Sequence, residues 1–232
     1  MANMDKKTYD ALFKKEDEER KGSPWLFVSA VVLALVAIIL LSVFLASYLG
    51  VVHLRSEDGG STLTDPRKDI TYELAPMCYE PVAYDVHSGV YAKYGDTEYY
   101  MVRDADPTKY LCTIDMNVYD LYYANDISLP SLAEFAPNYT RVCKVEAIAV
   151  MIGSIEAEDT EKLVDYYLSA NTVDSSLISG VEETLYLKFM SEEYNFMYYN
   201  LVYYKTKNGE RYLYDRTVGR CVDIGSRFSD VL

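Results

Sequence analysis

Four cysteines are the residues of this chain best suited to covalent chemistry. All four follow a long apolar segment near the N-terminus, and an even number in that position predicts two disulfides in an oxidising compartment, with three pairings open. No Cys-x-x-Cys motif occurs, so neither a zinc knuckle nor a thioredoxin-type site is expected. The alternative is buried free thiols that pack as small hydrophobic groups. The disulfide candidates are Cys78, Cys112, Cys143 and Cys221.

A cysteine nucleophile needs a neighbouring base, and the chain offers few. His53 lies at the end of the apolar segment, which leaves His87 as the histidine of the following domain. Cys143 with His87 and an arginine would give the arrangement of sortases, the anchored surface transpeptidases, but that family's Thr-Leu-x-Thr-Cys string is missing. We predict no catalytic residue. The alternative that stays open is a membrane-tethered hydrolase or cysteine transpeptidase.

Other fingerprints of catalysis and cofactor binding are also missing. The sequence has no serine-hydrolase elbow, no phosphate-binding loop and no dinucleotide-binding glycine motif. Because His53 is predicted at the membrane edge, His87 is the one histidine expected in the domain, and no pair of histidines can bind a metal ion there. We therefore expect no cofactor and no metal ion.

One modification motif stands in the domain. Asn138, Tyr139 and Thr140 form an acceptor for N-glycosylation. The motif has meaning only if the chain passes through a eukaryotic secretory pathway, so Asn138 is a conditional modification site.

Tyrosine gives the chain a feature that favours binding. There are 24 tyrosines against 7 phenylalanines, and many occur as adjacent pairs. Neighbouring residues of a strand point to opposite faces, so one ring of each pair is expected to stay partly exposed. Exposed tyrosines recognise proteins or glycans well, although tyrosine also simply fills strands. The pairs are Tyr99-Tyr100, Tyr122-Tyr123, Tyr166-Tyr167, Tyr198-Tyr199 and Tyr203-Tyr204.

The apolar segment runs from Trp25 to Leu49 without a charged residue, an amide or a proline. As a helix it would be roughly 37 Å long, enough to cross about 30 Å of hydrocarbon. Trp25 and Tyr48 stand where interfacial aromatic rings belong. It is longer than the apolar part of a cleaved signal peptide, which is the competing interpretation. We predict a single-pass signal anchor in contact with the lipid bilayer.

Charge predicts the orientation of that anchor. The tail has equal numbers of basic and acidic residues, so the formal net charge of −14 lies beyond the apolar segment. A domain this acidic repels nucleic acid, which is therefore not an expected partner. The excess of lysine and arginine before the helix predicts a cytoplasmic N-terminus. Those residues are Lys6, Lys7, Lys14, Lys15, Arg20 and Lys21.

Alternating apolar and polar residues predict a mainly antiparallel β domain with one or two helices, an α+β fold. A helix is expected over 160–170 and a shorter one at Ser131, where Glu134 completes a capping box. The strands are predicted over 90–94, 98–103, 110–116, 141–152, 184–190 and 196–206. We divide the chain into a cytoplasmic tail (1–23), an anchor (24–52), a polar tether (53–69) and an extracytoplasmic domain (70–232).

Two segments have similar residue orders. Residues 91–115 and 203–225 share Tyr, Lys, Gly, an acid, Tyr, Arg, Cys and Asp in sequence. Asn208 and Gly209 lie in the second segment, and this pair predicts a hairpin with a type I′ turn. The likeness is expected from two hairpins that obey the same rules, with an internal duplication as the alternative. If it is a duplication, Cys78–Cys112 and Cys143–Cys221 would be the simplest disulfide pairing.

We expect the domain to act by binding, as a surface, envelope or accessory component of a membrane complex. That expectation depends on the anchor and on the exposed tyrosines, because no motif predicts catalysis.

Overall fold

The computed structural model describes residues 24–115, 118–145 and 149–232. The described residues fall into two units, which divide between Gly50 and Val51. The predicted cytoplasmic tail lies outside the described residues.

The first unit contains helix α1, Pro24–Leu49, which has 26 residues. Its stretch Phe27–Leu45 is long and apolar enough to cross a membrane, and none of that stretch is buried. Ser29 and Ser42 donate their hydroxyls to the carbonyls of Trp25 and Ile38, each at 2.7 Å. The helix thus satisfies these two hydroxyl groups internally.

The second unit is mainly β-structure with two short helices and one 3₁₀ turn. The helices are α2, Leu132–Phe135, and α3, Ala157–Ser169, and the 3₁₀ turn is Ser175–Leu177. The strands are β1 Val52–His53, β2 Thr62–Asp65, β3 Ile70–Leu74, β4 Tyr79–Pro81, β5 Val90–Tyr94, β6 Thr97–Met101, β7 Tyr110–Asp115, β8 Val118–Ala124, β9 Tyr139–Val145, β10 Ala149–Ile155, β11 Thr172–Val173, β12 Val181–Met190, β13 Met197–Thr206, β14 Arg211–Asp215 and β15 Arg220–Asp223.

Within the described residues these strands form two sheets. Sheet A has the order β1-β5-β6-β7-β8-β3-β2, and sheet B has the order β10-β9-β12-β13-β14-β15-β11 with β4 beside β13. All pairs of strands are antiparallel except β1 with β5. The predicted mainly antiparallel β domain with few helices is confirmed at this level.

The main core combines residues of both sheets and both short helices. Alternate residues of β12 and β13 enter it, among them Leu187 and Leu201, so their neighbours point away from the core. A second, smaller core includes Leu63, Tyr72 and Leu111 from sheet A. Leu111 and Cys112 are adjacent in β7 and belong to different cores, so sheet A is covered on both faces.

The segment predicted as a polar tether, residues 53–69, is instead part of the folded domain. It forms the end of β1 and all of β2, and Leu63 and Asp65 are fully buried. The carboxylate of Asp65 accepts hydrogen bonds from the backbone of Arg67 and from the hydroxyl of Tyr91. The prediction was wrong because residues that look like linker are the turn and cap residues of a hairpin.

The strand predicted over 141–152 is two strands, β9 and β10, joined as a hairpin. Met151 pairs with Cys143 and Gly153 pairs with Val142, which leaves Ile152 as a bulge. The sequence gives no Gly, Pro or Asn-Gly signal for the turn, which explains the error.

The Asn208-Gly209 hairpin forms between β13 and β14 as predicted. Only Gly209 of the pair has a positive φ, 85°, so the turn is not type I′. The two similar segments both fold as three-stranded meanders, β5–β7 and β13–β15. In each meander the cysteine pairs with a tyrosine, Cys112 with Tyr100 and Cys221 with Tyr214.

Both predicted helices form. The capping box of α2 is present, with Ser131 and Glu134 exchanging hydrogen bonds, and the helix ends at Ala136, whose φ is 47°. Helix α3 buries Leu163 and Tyr167, whereas Tyr166 is only half-buried.

Candidate functional site

The face of sheet B that points away from the main core carries the candidate site. Register places Arg141 of β9 opposite Lys188 of β12, and Lys188 opposite Asn200 of β13. Directly opposed residues of an antiparallel pair point to the same face, so these side chains are neighbours. The sheet thus brings together cations that are far apart in the sequence.

Tyr198 lies beneath two of these cations. It points away from the main core, yet only 4% of it is exposed. The guanidinium of Arg141 lies 5.6 Å and the ammonium of Lys188 lies 5.4 Å from the centre of its ring. Arg141 also donates from Nη1 to the Tyr198 hydroxyl at 2.6 Å. Both cations lie over this ring, which belongs to neither apolar core.

The two cations differ in how their charge is compensated. Lys188 donates to both carboxylate oxygens of Glu80 at 2.6 and 2.7 Å, and Asn200 donates to the same carboxylate at 3.2 Å. Arg141 forms no ion pair with any carboxylate among the described residues. Arg141 therefore keeps an uncompensated positive charge and donors that the Tyr198 hydroxyl does not use.

A groove of about 380 Å³ opens beside Arg141. Its polar side is formed by the cations and Glu80, and its apolar side by side chains that include Met151 of β10. The lining residues are Glu80, Val82, Tyr119, Arg141, Cys143, Ala149, Met151, Lys188 and Tyr198. A ligand with one carboxylate and an adjoining apolar group fits this chemistry.

A second arginine repeats the pattern on the same face. Arg216 lies 5.7 Å from the ring centre of Tyr186 and donates to the Tyr204 hydroxyl at 2.9 Å. It too forms no ion pair with a described carboxylate. We call the set Arg141, Lys188, Arg216, Tyr186, Tyr198 and Tyr204 the cation–tyrosine face. Sequence reasoning missed it, although the alternation of Tyr186 and Lys188 in a strand could have indicated it.

The β9–β10 hairpin borders this face. Every residue of Ala149–Ser154 is exposed, and so are Lys144 and Val145 on β9. Strand β10 lies at one edge of sheet B. Exposed apolar side chains on an edge strand mark a surface that another molecule can cover.

The structure contains none of the predicted disulfides: Cys78, Cys112, Cys143 and Cys221 are all free and buried. Cys143 lies opposite Met151 and Tyr186 in the sheet, and Cys221 lies opposite Tyr214 and Val173. The cross-strand neighbours of Cys143 and Cys221 are therefore apolar or aromatic residues, and neither thiol has a second cysteine opposite it. The buried-thiol alternative describes this structure.

Burial governs the chemistry of these thiols. It raises the pKa of Cys112 to about 12 and that of Cys221 to about 11, and it also raises the pKa of Cys78. Burial raises the pKa of Cys143 as well, although Lys188 and Arg141 act in the opposite direction. Such thiols are protonated near neutral pH and react poorly as nucleophiles.

The nucleophile arrangement considered for Cys143 finds no support in the geometry. His87 is exposed in the turn before β5, and its backbone N–H donates to Asp85 at 2.9 Å. It is not among the residues that line the groove at Cys143. The described residues contain no cluster of His, Cys, Asp and Glu that could hold a metal ion.

Asn138, the conditional glycosylation site, is half-buried at the start of β9. Its Nδ2 donates to Glu192 at 3.1 Å, and its backbone N–H donates to the carbonyl of Met190. Attachment of a glycan would use the nitrogen that now bonds Glu192.

The tyrosine pairs divide between the two faces in four of the five cases: Tyr99, Tyr122, Tyr167 and Tyr203 are buried and their partners are half-buried. The exception is Tyr198-Tyr199, in which both rings are buried. This exception is the ring that Arg141 and Lys188 cover.

Comparison with known proteins found no match: no family model, no curated protein and no solved structure is similar to this chain. The function is therefore inferred from the geometry of the described residues.

Proposed function

We propose that this chain is a single-pass membrane protein whose extracytoplasmic domain binds an acidic protein partner and performs no catalysis. Helix α1 would be the signal anchor, with the N-terminus in the cytoplasm. The observation that carries the proposal is Arg141, an arginine with no described carboxylate partner at the edge of an open groove.

The charge of the whole chain makes this arginine informative. In a chain with a formal net charge of −14, acidic side chains are abundant and could easily neutralise a surface cation. Lys188 is neutralised in this way by Glu80, whereas Arg141 and Arg216 are not. The planar guanidinium is suited to grip a carboxylate through two parallel hydrogen bonds. An acidic ligand would complete the site.

A polypeptide suits the groove better than a sugar. Sugars bind tyrosine by stacking on a free ring face. The ring of Tyr198 is only 4% exposed beneath the two cations, and Tyr119, the other tyrosine that lines the groove, is half-buried with its ring 6.3 Å from that of Tyr84. The groove instead offers Met151 and Val82 beside the arginine, which suits an acidic residue with an apolar neighbour. Arginine and tyrosine are also the residues that most often dominate protein interfaces.

The binding test uses the full chain in phosphatidylcholine nanodiscs at low salt, titrated with octaglutamate and with octaglutamine in a calorimeter. We expect octaglutamate to bind and octaglutamine not to bind. Arg141→Gln should weaken octaglutamate binding by about ten-fold, the value of one charge-assisted pair.

Arg103→Gln is the matched control, because Arg103 is exposed next to β6 in the other sheet and the substitution removes the same charge. We expect this control to weaken binding less than two-fold. Equal losses in both variants would mean general electrostatic attraction and would contradict the site. Binding of an oligouronic acid in place of octaglutamate would assign the site to an acidic glycan and contradict a protein partner.

Orientation needs its own test, because four free thiols are also what a reducing compartment preserves. Intact cells that produce the full chain are treated with a membrane-impermeant amine reagent, and the modified lysines are mapped. We expect modification of Lys162 and Lys207 in the domain and protection of Lys6, Lys7, Lys14, Lys15 and Lys21 in the tail. The reverse pattern would place the domain in the cytoplasm.

A further inference from the structure

We propose that β10 is a self-association edge, through which two copies of this chain pair antiparallel and join their B sheets into one. This inference goes beyond the binding of an acidic partner. It concerns the free edge of β10, which adjoins the Arg141 groove and shares Ala149 and Met151 with it. The self-association edge is defined as Ala149–Ile155.

Strand β10 lacks the features that protect sheet edges in monomers. Its sequence, AVMIGSI, contains no charged residue and no proline. Natural edge strands are usually kept short, or carry lysine or proline, because their free N–H and C=O groups otherwise pair with another strand. Six consecutive residues of β10 are exposed, and within the described part of residues 51–232 no further strand pairs with its outer side.

The other edges of the two sheets are protected. Sheet B ends on its far side in β11, and sheet A ends on one side in β1, and each of these strands has two residues. Strand β2, at the other end of sheet A, has four residues and includes the charged residue Asp65, and β4, which pairs with β13 alone, has three residues and contains Glu80 and Pro81. Strand β10, with seven uncharged residues, therefore differs from the other edge strands that the structure describes.

The side chains of the hairpin add an apolar surface to this edge. Val145 is 49% exposed, Val150 48%, Met151 57% and Ile152 55%. Val150 pairs with Lys144 and Met151 pairs with Cys143, so successive residues present apolar groups on both faces of the hairpin. Burial of these side chains would contribute favourably to association.

The distribution of charge and the symmetry of antiparallel pairing favour a second copy of this chain as the partner of β10. Two chains that each carry a formal charge of −14 repel one another over most of their surfaces. The edge Ala149–Ile155 carries no charge, and Ser154 lies opposite Arg141 of β9, which pairs with no described carboxylate, so electrostatic repulsion between two copies is smallest at this edge. An antiparallel strand can pair with an identical strand about a two-fold axis, which gives a closed dimer. A shared membrane would also concentrate copies in one plane.

The test measures the mass of the full chain in a non-ionic detergent by light scattering and sedimentation over a wide range of concentrations. We expect the wild-type chain to dimerise and Val150→Lys to raise the dissociation constant at least ten-fold. Added lysine lowers the net negative charge, so a simple electrostatic effect would strengthen association instead. Ile152→Lys is the second edge variant and should act in the same direction. Like Val150, Ile152 does not line the Arg141 groove.

Val218→Lys is the matched control, because Val218 is 69% exposed in the turn between β14 and β15. It should dimerise like the wild type, and the urea midpoints of all variants should agree. A monomeric wild-type chain would overturn the proposal. So would dimers that persist in both edge variants, because association would then use α1 or another surface. Octaglutamate binding is measured separately, so the dimer can fail while the proposed binding function stands.

Discussion

Arg220 and Arg141 both lie over tyrosine rings, but their surroundings give them different roles. Arg220 is a structural residue, and Arg141 is a candidate binding residue. Arg220 lies 5.3 Å from the ring centre of Tyr167, and Arg141 lies 5.6 Å from that of Tyr198. Both are half-buried in sheet B. The ring contact is therefore common to the two sites and cannot explain what distinguishes them.

The difference lies in what the guanidinium donates to. Arg220 Nη2 donates to the carbonyls of Tyr167, Leu168 and Ala170 at 2.9, 3.2 and 2.7 Å. These carbonyls lie at the C-terminal end of α3, whose last turn has no basic residue of its own. Arg220 thus caps the helix and interacts with the negative end of its dipole. Arg141 donates to one tyrosine hydroxyl and faces an open groove, so its remaining donors are available to a ligand.

The largest expected effect comes from removing the capping arginine. Arg220→Met should lower the free energy of unfolding by about 2–4 kcal/mol, because several carbonyls lose a charged donor. Arg141→Met should lower the free energy of unfolding by only about 1–2 kcal/mol, because the cation–tyrosine face loses one charge-assisted hydrogen bond and one ring contact. Urea unfolding of the full chain in detergent, followed by tyrosine fluorescence, measures both.

The same two variants, Arg220→Met and Arg141→Met, also test whether Arg220 is a structural residue and Arg141 a binding residue. Arg220→Met should leave octaglutamate binding within two-fold of the wild type under conditions where the chain is folded. Arg141→Met should weaken that binding strongly. Equal losses of stability in the two variants would remove the contrast between a structural and a binding arginine.

Short-range sequence patterns were sufficient to predict the elements that depend on neighbouring residues, namely caps, helices and tight hairpins. The capping box of Ser131 and Glu134, helix α3 and the Asn208-Gly209 hairpin all form where short-range rules place them. The predicted turn type at Asn208-Gly209 was wrong, because a type I′ turn needs a positive φ at both residues and only Gly209 has one.

The candidate site depends on strand register, which the sequence does not reveal. Arg141 and Lys188 become neighbours only because β9 pairs with β12, and Glu80 reaches Lys188 only because β4 pairs with β13. The β9–β10 turn could not be predicted either, since a run of apolar residues without a turn signal is typical of one long strand. Non-local pairing therefore decides the candidate site, whereas the self-association edge was missed because the local turn has no sequence signal.

Cys143 and Cys221 lie near Arg141 and Arg220, respectively, and their rates of alkylation give a further comparison of the two sites, with a smaller expected effect. Cys221 follows Arg220 in β15 and is fully buried, with a pKa raised by burial to about 11. Cys143 is 5% exposed and lines the Arg141 groove, where Lys188 and Arg141 partly offset the burial that raises its pKa. At pH 8 a larger thiolate fraction and better access should make Cys143 react faster with iodoacetamide, by several-fold.

The experiment treats the full chain in detergent without reductant and follows alkylation by peptide mass. In urea all four cysteines should be alkylated, because the structure contains no disulfide. Two or four cysteines that resist alkylation until reductant is added would instead establish the disulfides that the sequence predicts. In the native chain, Arg141→Met should slow the alkylation of Cys143 and leave that of Cys221 unchanged, since only Cys143 loses a neighbouring positive charge. If Cys221 reacts as fast as Cys143 in the native chain, the Arg220 site opens as readily as the groove, and its role as a fixed structural cap is contradicted.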